Sequence, residues 1–384
     1  MLKYLKYFLP GIYGVIGINM FLLGEYFPTI FFVLFSSTII LGDVFFGKDK
    51  EVQKFSYPFF LNLSLYINLP ILFSLVFLVI SFYSNNLPLW YIDSINSIFH
   101  IDFNEVKSSF NKIDKISLIA QTGLFIGMLG IIPGHELTHR KKNKFDMFIG
   151  NWLLAFSWDC TFSIEHVYGH HKYVCRPEDP ASAKRGENIY LFIIKAIFNE
   201  QISGWNIEKK RLKRRGYYFL SFHNKMIVGH LRSVSILFII YYLFGIIGVF
   251  YFLLLAFIGK SLLEIINYIE HYGLVREKDK PVCTRHSWNS DHVFSSLLLC
   301  NVTRHSDHHR APNLNFWELN PNFKNAPTLP YGYLSMIFLL LFTPFIYHRI
   351  MAKKLIDWDI NYADEKEKEL AIIQNSNSGI SLLA

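Results

Sequence analysis

Residues 116–139 read ISLIAQTGLFIGMLGIIPGHELTH, an uncharged run from Ile116 to Gly134 that leads directly into His135 and His139. About 20 apolar residues are needed to cross the hydrocarbon of a bilayer, so this run is a spanning helix. Imidazole is the commonest metal ligand among side chains, and polar groups are costly to gather beside lipid without a purpose. An apolar helix that ends in HxxxH therefore predicts a metal site held at the edge of a membrane.

The pattern recurs along the chain. Nine of the fifteen histidines fall into four groups: His135 and His139; His166, His170 and His171 in EHVYGHH; His271 in NYIEHYG; and His305, His308 and His309 in RHSDHH. At this histidine content a triple at one given spacing is expected on the order of 0.02 times per chain, so chance is a poor explanation for two. On a regular helix His135 and His139 share one face, one turn apart. His166 and His170 are expected to repeat that geometry, with His171 rotated about 100° away. His305, His308 and His309 form a similar set. Eight ligands from three helices exceed what one metal accepts, and with His271 they suit two metals with four or five imidazoles each.

Composition points the same way. Charged residues make up 18% and aromatics 17% of the 384 residues, whereas soluble domains carry about 25% charged residues. The net charge is +8, but the basic residues lie between apolar runs rather than in one stripe. Anionic lipid or an acidic protein partner fits this better than nucleic acid. Cys160, Cys175, Cys283 and Cys300 form no CxxC pair, which suits a reducing compartment and excludes a zinc ribbon or an internal rubredoxin-like centre.

Hydropathy gives an all-α integral membrane protein with six transmembrane helices. Pro10–Gly24 and Pro28–Gly42 form a hairpin turned at Glu25–Phe27, followed by Pro58–Phe82 and Ile116–Gly134. The run Val234–Ile269 is 36 residues, about 54 Å as one helix, and is expected to fold as two spans turning near Gly245–Gly248. Lys3, Lys6, Lys48, Lys50, Lys54, Arg140, Lys141, Lys142, Lys144 and the run Lys209–Arg215 then share one side, which the positive-inside rule makes cytoplasmic. All four histidine groups face that side. Residues 147–163, which contain Asn151 and Asp159, and residues 331–347 are expected to be embedded or interfacial. Residues 1–356 are expected to form a single membrane-embedded domain. Residues 357–384, charged and then rich in Ser and Asn, are expected to be a loosely ordered tail.

HELTH also matches the HExxH zinc-protease pattern, in which His135 and His139 hold one zinc and Glu136 is the general base. Such an enzyme needs one further ligand and leaves most of the clustered histidines unused. Imidazole suits iron, copper and zinc alike, so ligand type does not choose the metal.

HELTHR, EHVYGHHKYVCRPEDPASA, NYIEHYGL, HSWNS and RHSDHH, followed by LPYGY, together resemble the integral-membrane non-haem di-iron alkane 1-monooxygenases, within the membrane fatty-acid desaturase/hydroxylase superfamily. The resemblance covers roughly residues 116–335. It implies a multi-pass inner-membrane enzyme, two irons and O2 as co-substrate. It also implies a hydrocarbon substrate hydroxylated at its terminal carbon, and electrons passed from a NAD(P)H-dependent reductase through rubredoxin. The implied ligands are His135, His139, His166, His170, His171, His271, His305, His308 and His309. NYIEHYG weighs most for this subfamily, since fatty-acid desaturases share the other three motifs in looser form. A membrane fatty-acid desaturase or hydroxylase and a xylene-type monooxygenase, the latter with closely similar motifs, are the alternative readings. The chain departs from the pattern at Cys175, Arg176, Asp291 and the NVT before Arg304.

Neutral imidazoles bring no negative charge, so nearby carboxylates are expected to compensate. Glu136, Glu165, Glu270 and Asp307 each adjoin a histidine, and His286 in HSWNS is a further near-site residue. His292 is expected to be structural, and His100, His223, His230 and His348 to lie at surfaces or interfaces. Asp43 is expected to cap or pair at the end of the second span.

Overall fold

Among the described residues five helices are long and apolar enough to cross a membrane: Lys3–Leu22, Phe27–Phe45, Pro58–Tyr83, Lys112–His139 and Lys225–His271. This is the element content of a multi-pass membrane protein. The computed structural model describes residues 2–49, 51–321 and 324–383. Lys50, one of the basic residues used for topology, lies outside the described residues. Among these residues the regular structure is helical, apart from two isolated bridges, Lys48 with His292 and Asn289 with Thr328.

The two spans expected over Val234–Ile269 belong to one 47-residue helix, Lys225–His271, interrupted where Gly245 adopts φ 65° and ψ −163°. Only glycine enters that region without strain. The break falls within the stretch where the turn was expected and divides the run into two helical segments. Lys144–Ala155 has 12 residues and Tyr333–Phe342 has 10, each too short to cross hydrocarbon.

The described residues form two compact units. The first comprises Met1–Thr38, Tyr57–Cys160 and Ile227–Leu262. Its helices approach closely at small residues, as lipid-embedded helices do. A Cβ on Gly14 would stand 2.7 Å from Ile71 and 2.8 Å from Leu129. Phe31, Phe35 and Phe125 make edge and tilted ring contacts beside this seam. One ion pair is buried here: Lys260 Nζ lies 3.0 Å from Asp159 Oδ2. That pairing explains how Asp159 is tolerated at the end of an apolar stretch.

The second unit comprises Ile39–Ser56, Thr161–Met226 and Leu263–Ala384. Polar side chains hold it together. Arg185 bonds Asp359 through both terminal nitrogens at 2.7 and 2.6 Å and reaches Asn375 at 2.6 Å. Arg304 bonds the Leu319 carbonyl at 2.6 Å and pairs with Asp49 at 3.0 Å. Asp43 accepts from the backbone N–H and hydroxyl of Ser295 at 2.8 and 2.5 Å, a pairing role.

The C-terminal segment differs from the expectation. Pro344–Asn361 and Glu365–Asn377 are helices. The second begins with a capping box in which Asp364 and Glu367 exchange bonds with each other's backbone N–H. Glu367 is fully buried and paired. Composition suggested a solvated tail because the charges that dock it are the same residues that would make a disordered segment polar.

Candidate metal centre

EHVYGHH is not a regular helix. Residues His166–His170 form a π-helical turn between the short helices Phe162–Glu165 and His171–Tyr173. A π turn carries an extra residue, so position i aligns with i+5 rather than i+4. His166 therefore pairs with His171, Nε2 to Nε2 at 3.1 Å, and not with His170 as the regular spacing predicted. The motif is divided between two clusters. The run Ile126–Ile131, ahead of HELTH, is likewise π-helical.

The first cluster joins His170, His271, His305 and His309, all buried, with ligand nitrogens within 4.8 Å of one another. His170 Nε2 lies 3.2 Å from His309 Nε2, which lies 2.9 Å from His305 Nε2, which lies 3.1 Å from His271 Nε2. Two nitrogens each about 2.0–2.1 Å from one metal stand about 2.9 Å apart at a right angle and about 3.4 Å apart at a tetrahedral one. The observed separations fall within that window.

Partners on the outer ring nitrogens fix which nitrogen faces inward. His170 Nδ1 is 2.9 Å from Asp179 Oδ2, so Nδ1 carries the proton and donates it. His271 Nδ1 is 3.1 Å from the His286 carbonyl oxygen, which can only accept. Both imidazoles, when neutral, thus present bare Nε2 lone pairs to the centre. Lone pairs crowded at 3 Å repel unless a cation lies between them, and this is the fit test for a metal. Zinc, copper and iron all satisfy it.

Asp179 is buried, which would raise its pKa, but its bonds to His170 and Ser182 outweigh this and hold it below the usual carboxylate range. Glu270 Oε2 lies 3.1 Å from His305 Nε2, and Glu270 Oε1 accepts from the Tyr333 hydroxyl at 2.8 Å. One carboxylate therefore stands at the rim of the four-nitrogen set.

The second cluster within this unit is His166, His171 and His308, with His308 Nε2 3.1 Å from His171 Nε2. Burial pushes the His308 imidazole down to about 3 and His309 well below its ordinary value, so both stay neutral. His305 and His309, four apart, share the first cluster, and His308 turns to the second. In the first unit His135 and His139 stand one turn apart, their rings perpendicular with centroids 4.9 Å apart.

The remaining predicted residues have these positions. Glu136 pairs with Arg140 at 2.7 Å. Glu165 accepts from Ser203 at 3.0 Å. Asp307 pairs with Arg310 at 2.6 Å and accepts from the Asn320 backbone at 2.8 Å. The His286 side chain faces Glu367 at 2.7 Å, and only its carbonyl reaches a clustered histidine. His292 bonds Ser290, His230 accepts from Trp158, His348 meets Tyr272 and His223 stacks on Tyr217. His100 caps a helix in the left-handed region, φ 53°.

Three residues that orient the site were missed. Asp179 sits in the quoted CRPEDP stretch, where an acid close behind HH was the available signal. Tyr333 is the last residue of LPYGY. Glu367 had no signal at all.

The fatty acid desaturase family profile matches residues 116–340, which contain every clustered histidine. The chain belongs to the fatty acid desaturase family. Among curated relatives of this desaturase-family chain, alkane 1-monooxygenase 1 of Pseudomonas aeruginosa is 36% identical over 63% of this chain and 64% of its own length. Alkane 1-monooxygenase of Acinetobacter baylyi is 37% identical over 71% of this chain and 66% of its own length. The chain thus spans slightly under two thirds of these relatives. The xylene/toluene monooxygenase hydroxylase component XylM of Pseudomonas putida is 30% identical over 98% of this chain and 95% of its own length.

Proposed function

We propose that this protein is a membrane di-iron monooxygenase that hydroxylates the terminal carbon of an alkane, using O2 and electrons delivered by rubredoxin from a NAD(P)H-dependent reductase. The observation that carries the reading is the division of the histidine motifs into two converging imidazole sets, one of four and one of three. The resemblance of HELTHR to the family motif implies His135 and His139 as further ligands, nine in all. The names of the alkane relatives supply the substrate class.

The reaction takes RH, O2, two electrons and two protons to ROH and water. Iron, when bound, supplies the redox chemistry that imidazole and carboxylate cannot perform themselves. The chain's own residues do the rest. Asp179 and the His286 carbonyl hold the tautomers of His170 and His271, so no proton must leave before a metal binds. Glu270, held by Tyr333, brings negative charge to an otherwise neutral ligand set.

An open groove of about 1810 Å³ is lined by Lys172, Lys184, Lys210 and Arg214 and reaches Asp179. It offers an acidic electron donor a basic face close to the His170 pair. Helix Lys225–His271, turning at Gly245, completes six spans in the inner membrane. The distribution of Lys and Arg along the sequence supports a site on the cytoplasmic side.

A second reading has its own support. The match to XylM runs almost the full length of both chains, so a methyl group on an aromatic ring is an alternative substrate. The test is metal analysis of the purified protein, then incubation with reductase, rubredoxin and O2 on octane, hexadecane, xylene and a fatty acid in turn. Terminal alcohol from an alkane is the expected product. Methylbenzyl alcohol formed from xylene in preference supports the aromatic reading. Stoichiometric zinc with no O2-dependent product overturns both.

A further inference from the structure

The His286 carbonyl that fixes His271 is itself held from below. His286 Nδ1 accepts from the Cys283 backbone N–H at 2.9 Å, so its Nε2 carries the proton. That proton is donated to Glu367 Oε1 at 2.7 Å, both side chains being fully buried. Glu367 Oε2 is fixed in turn by Arg285 Nε at 2.8 Å and by the Asp364 backbone N–H at 3.1 Å. The Trp358 indole bonds the Arg285 carbonyl at 2.7 Å. Cys175 Sγ approaches the His286 carbonyl at 3.0 Å, so this oxygen accepts from two sides.

We infer that Glu367, on the C-terminal helix, is a positioning residue for the metal ligand His271, acting through the side chain and then the carbonyl of His286. The relay has one fixed direction: carboxylate, imidazole, backbone carbonyl, imidazole, metal. Every bond in it has only one chemically allowed donor. Glu367 lies beyond residue 340, where the family match ends, so this support is grafted onto the histidine motifs from outside them. Removing the Glu367 carboxylate leaves the His286 N–H buried without an acceptor, and the ring must shift or turn to find one. The carbonyl that sets the His271 tautomer moves with it.

The inference rests on the four-histidine cluster holding a metal, not on the substrate. The experiment is Co(II) titration of the metal-stripped full-length protein in detergent, read by the cobalt ligand-field band. Glu367→Ala is expected to weaken one class of cobalt site by about 10–100-fold, the usual cost of losing an outer-shell partner. Glu367→Gln keeps an oxygen that accepts from His286 and is expected to recover most of that affinity. Asn375→Ala removes a bond at the far end of the same helix, where Asn375 accepts from Arg185 at 2.6 Å. It loosens docking without touching His286, and cobalt affinity is expected to stay within about twofold of wild type.

Equal loss in Asn375→Ala and Glu367→Ala overturns the inference, because docking alone then explains it. A Glu367→Gln variant no tighter than Glu367→Ala overturns it as well. Should Glu367→Ala fail to fold, Glu367→Asp takes its place, since the shorter side chain withdraws from His286 while keeping its charge. Unchanged affinity there would likewise overturn the relay. Wild-type protein that binds no cobalt at the cluster would instead remove the metal-site reading itself.

Discussion

The two units of this chain solve burial by opposite means. The first packs apolar helices at glycine contacts such as Gly14 against Ile71 and Leu129, with the Lys260–Asp159 pair buried among them. The second buries histidines, aspartates, glutamates and arginines and pairs many of them with one another. Apolar packing is additive and tolerant, so a misfit costs stability locally. A buried polar network is unforgiving, because each lost partner strands the next group. Substitutions at the apolar helix contacts of the first unit should therefore change stability, and those around the histidine clusters of the second should change metal binding.

The widest separation is expected at the ligands. His271→Ala should lower bound metal by one equivalent and reduce O2-dependent product to background, while the protein still inserts. Metal analysis and product detection on the same preparation check this, and full activity in the variant would sink the site assignment. Asp179→Asn is milder. It keeps the size of the side chain but removes the charge that orients His170, so metal affinity should fall by about 10-fold, the lower end of the outer-shell range. An unchanged cobalt isotherm would show that the His170–Asp179 bond is incidental.

Gly14→Val tests the other half of the comparison. Its side chain must enter space already held by Ile71 and Leu129, which should cost about 1–3 kcal/mol of stability. Thermal unfolding in detergent should show the loss while metal stoichiometry stays constant. Metal lost in parallel with stability would mean that the two units do not divide the work as stated.

The same contrast explains what the sequence revealed. Hydropathy located the spans around residues 10–42, 58–82, 116–134 and 234–269 because a membrane reads composition over a window of residues. The histidine groups were legible because their spacing is local. The partition of His166 from His170 was not, since a π turn adds a residue without any distinctive residue type. Asp179, Tyr333 and Glu367 act across 9, 63 and 81 positions of sequence, and such pairings leave no periodicity. The C-terminal helix was misread for the same reason: its charges are partners for Arg285 and His286, which only the folded chain brings near.

The smallest expected effect concerns acid. Glu208 in the second unit is buried, which by itself would raise its pKa, but Arg211 bonds it at 2.6 Å and the Lys225 backbone N–H at 2.6 Å. These bonds prevail and hold the carboxyl below its ordinary value. A group whose folded pKa is depressed contributes stability that is complete above its unfolded pKa and is lost as pH falls through the folded one. Wild-type protein should therefore lose stability below about pH 4.3. Glu208→Gln should be about 1 kcal/mol less stable at pH 7 and respond less steeply to acid. Unfolding midpoints measured from pH 7 to pH 3 check the slope. Parallel curves for the two proteins would show that the ion pair contributes nothing, and acid sensitivity of the polar unit would then have to come from its histidines.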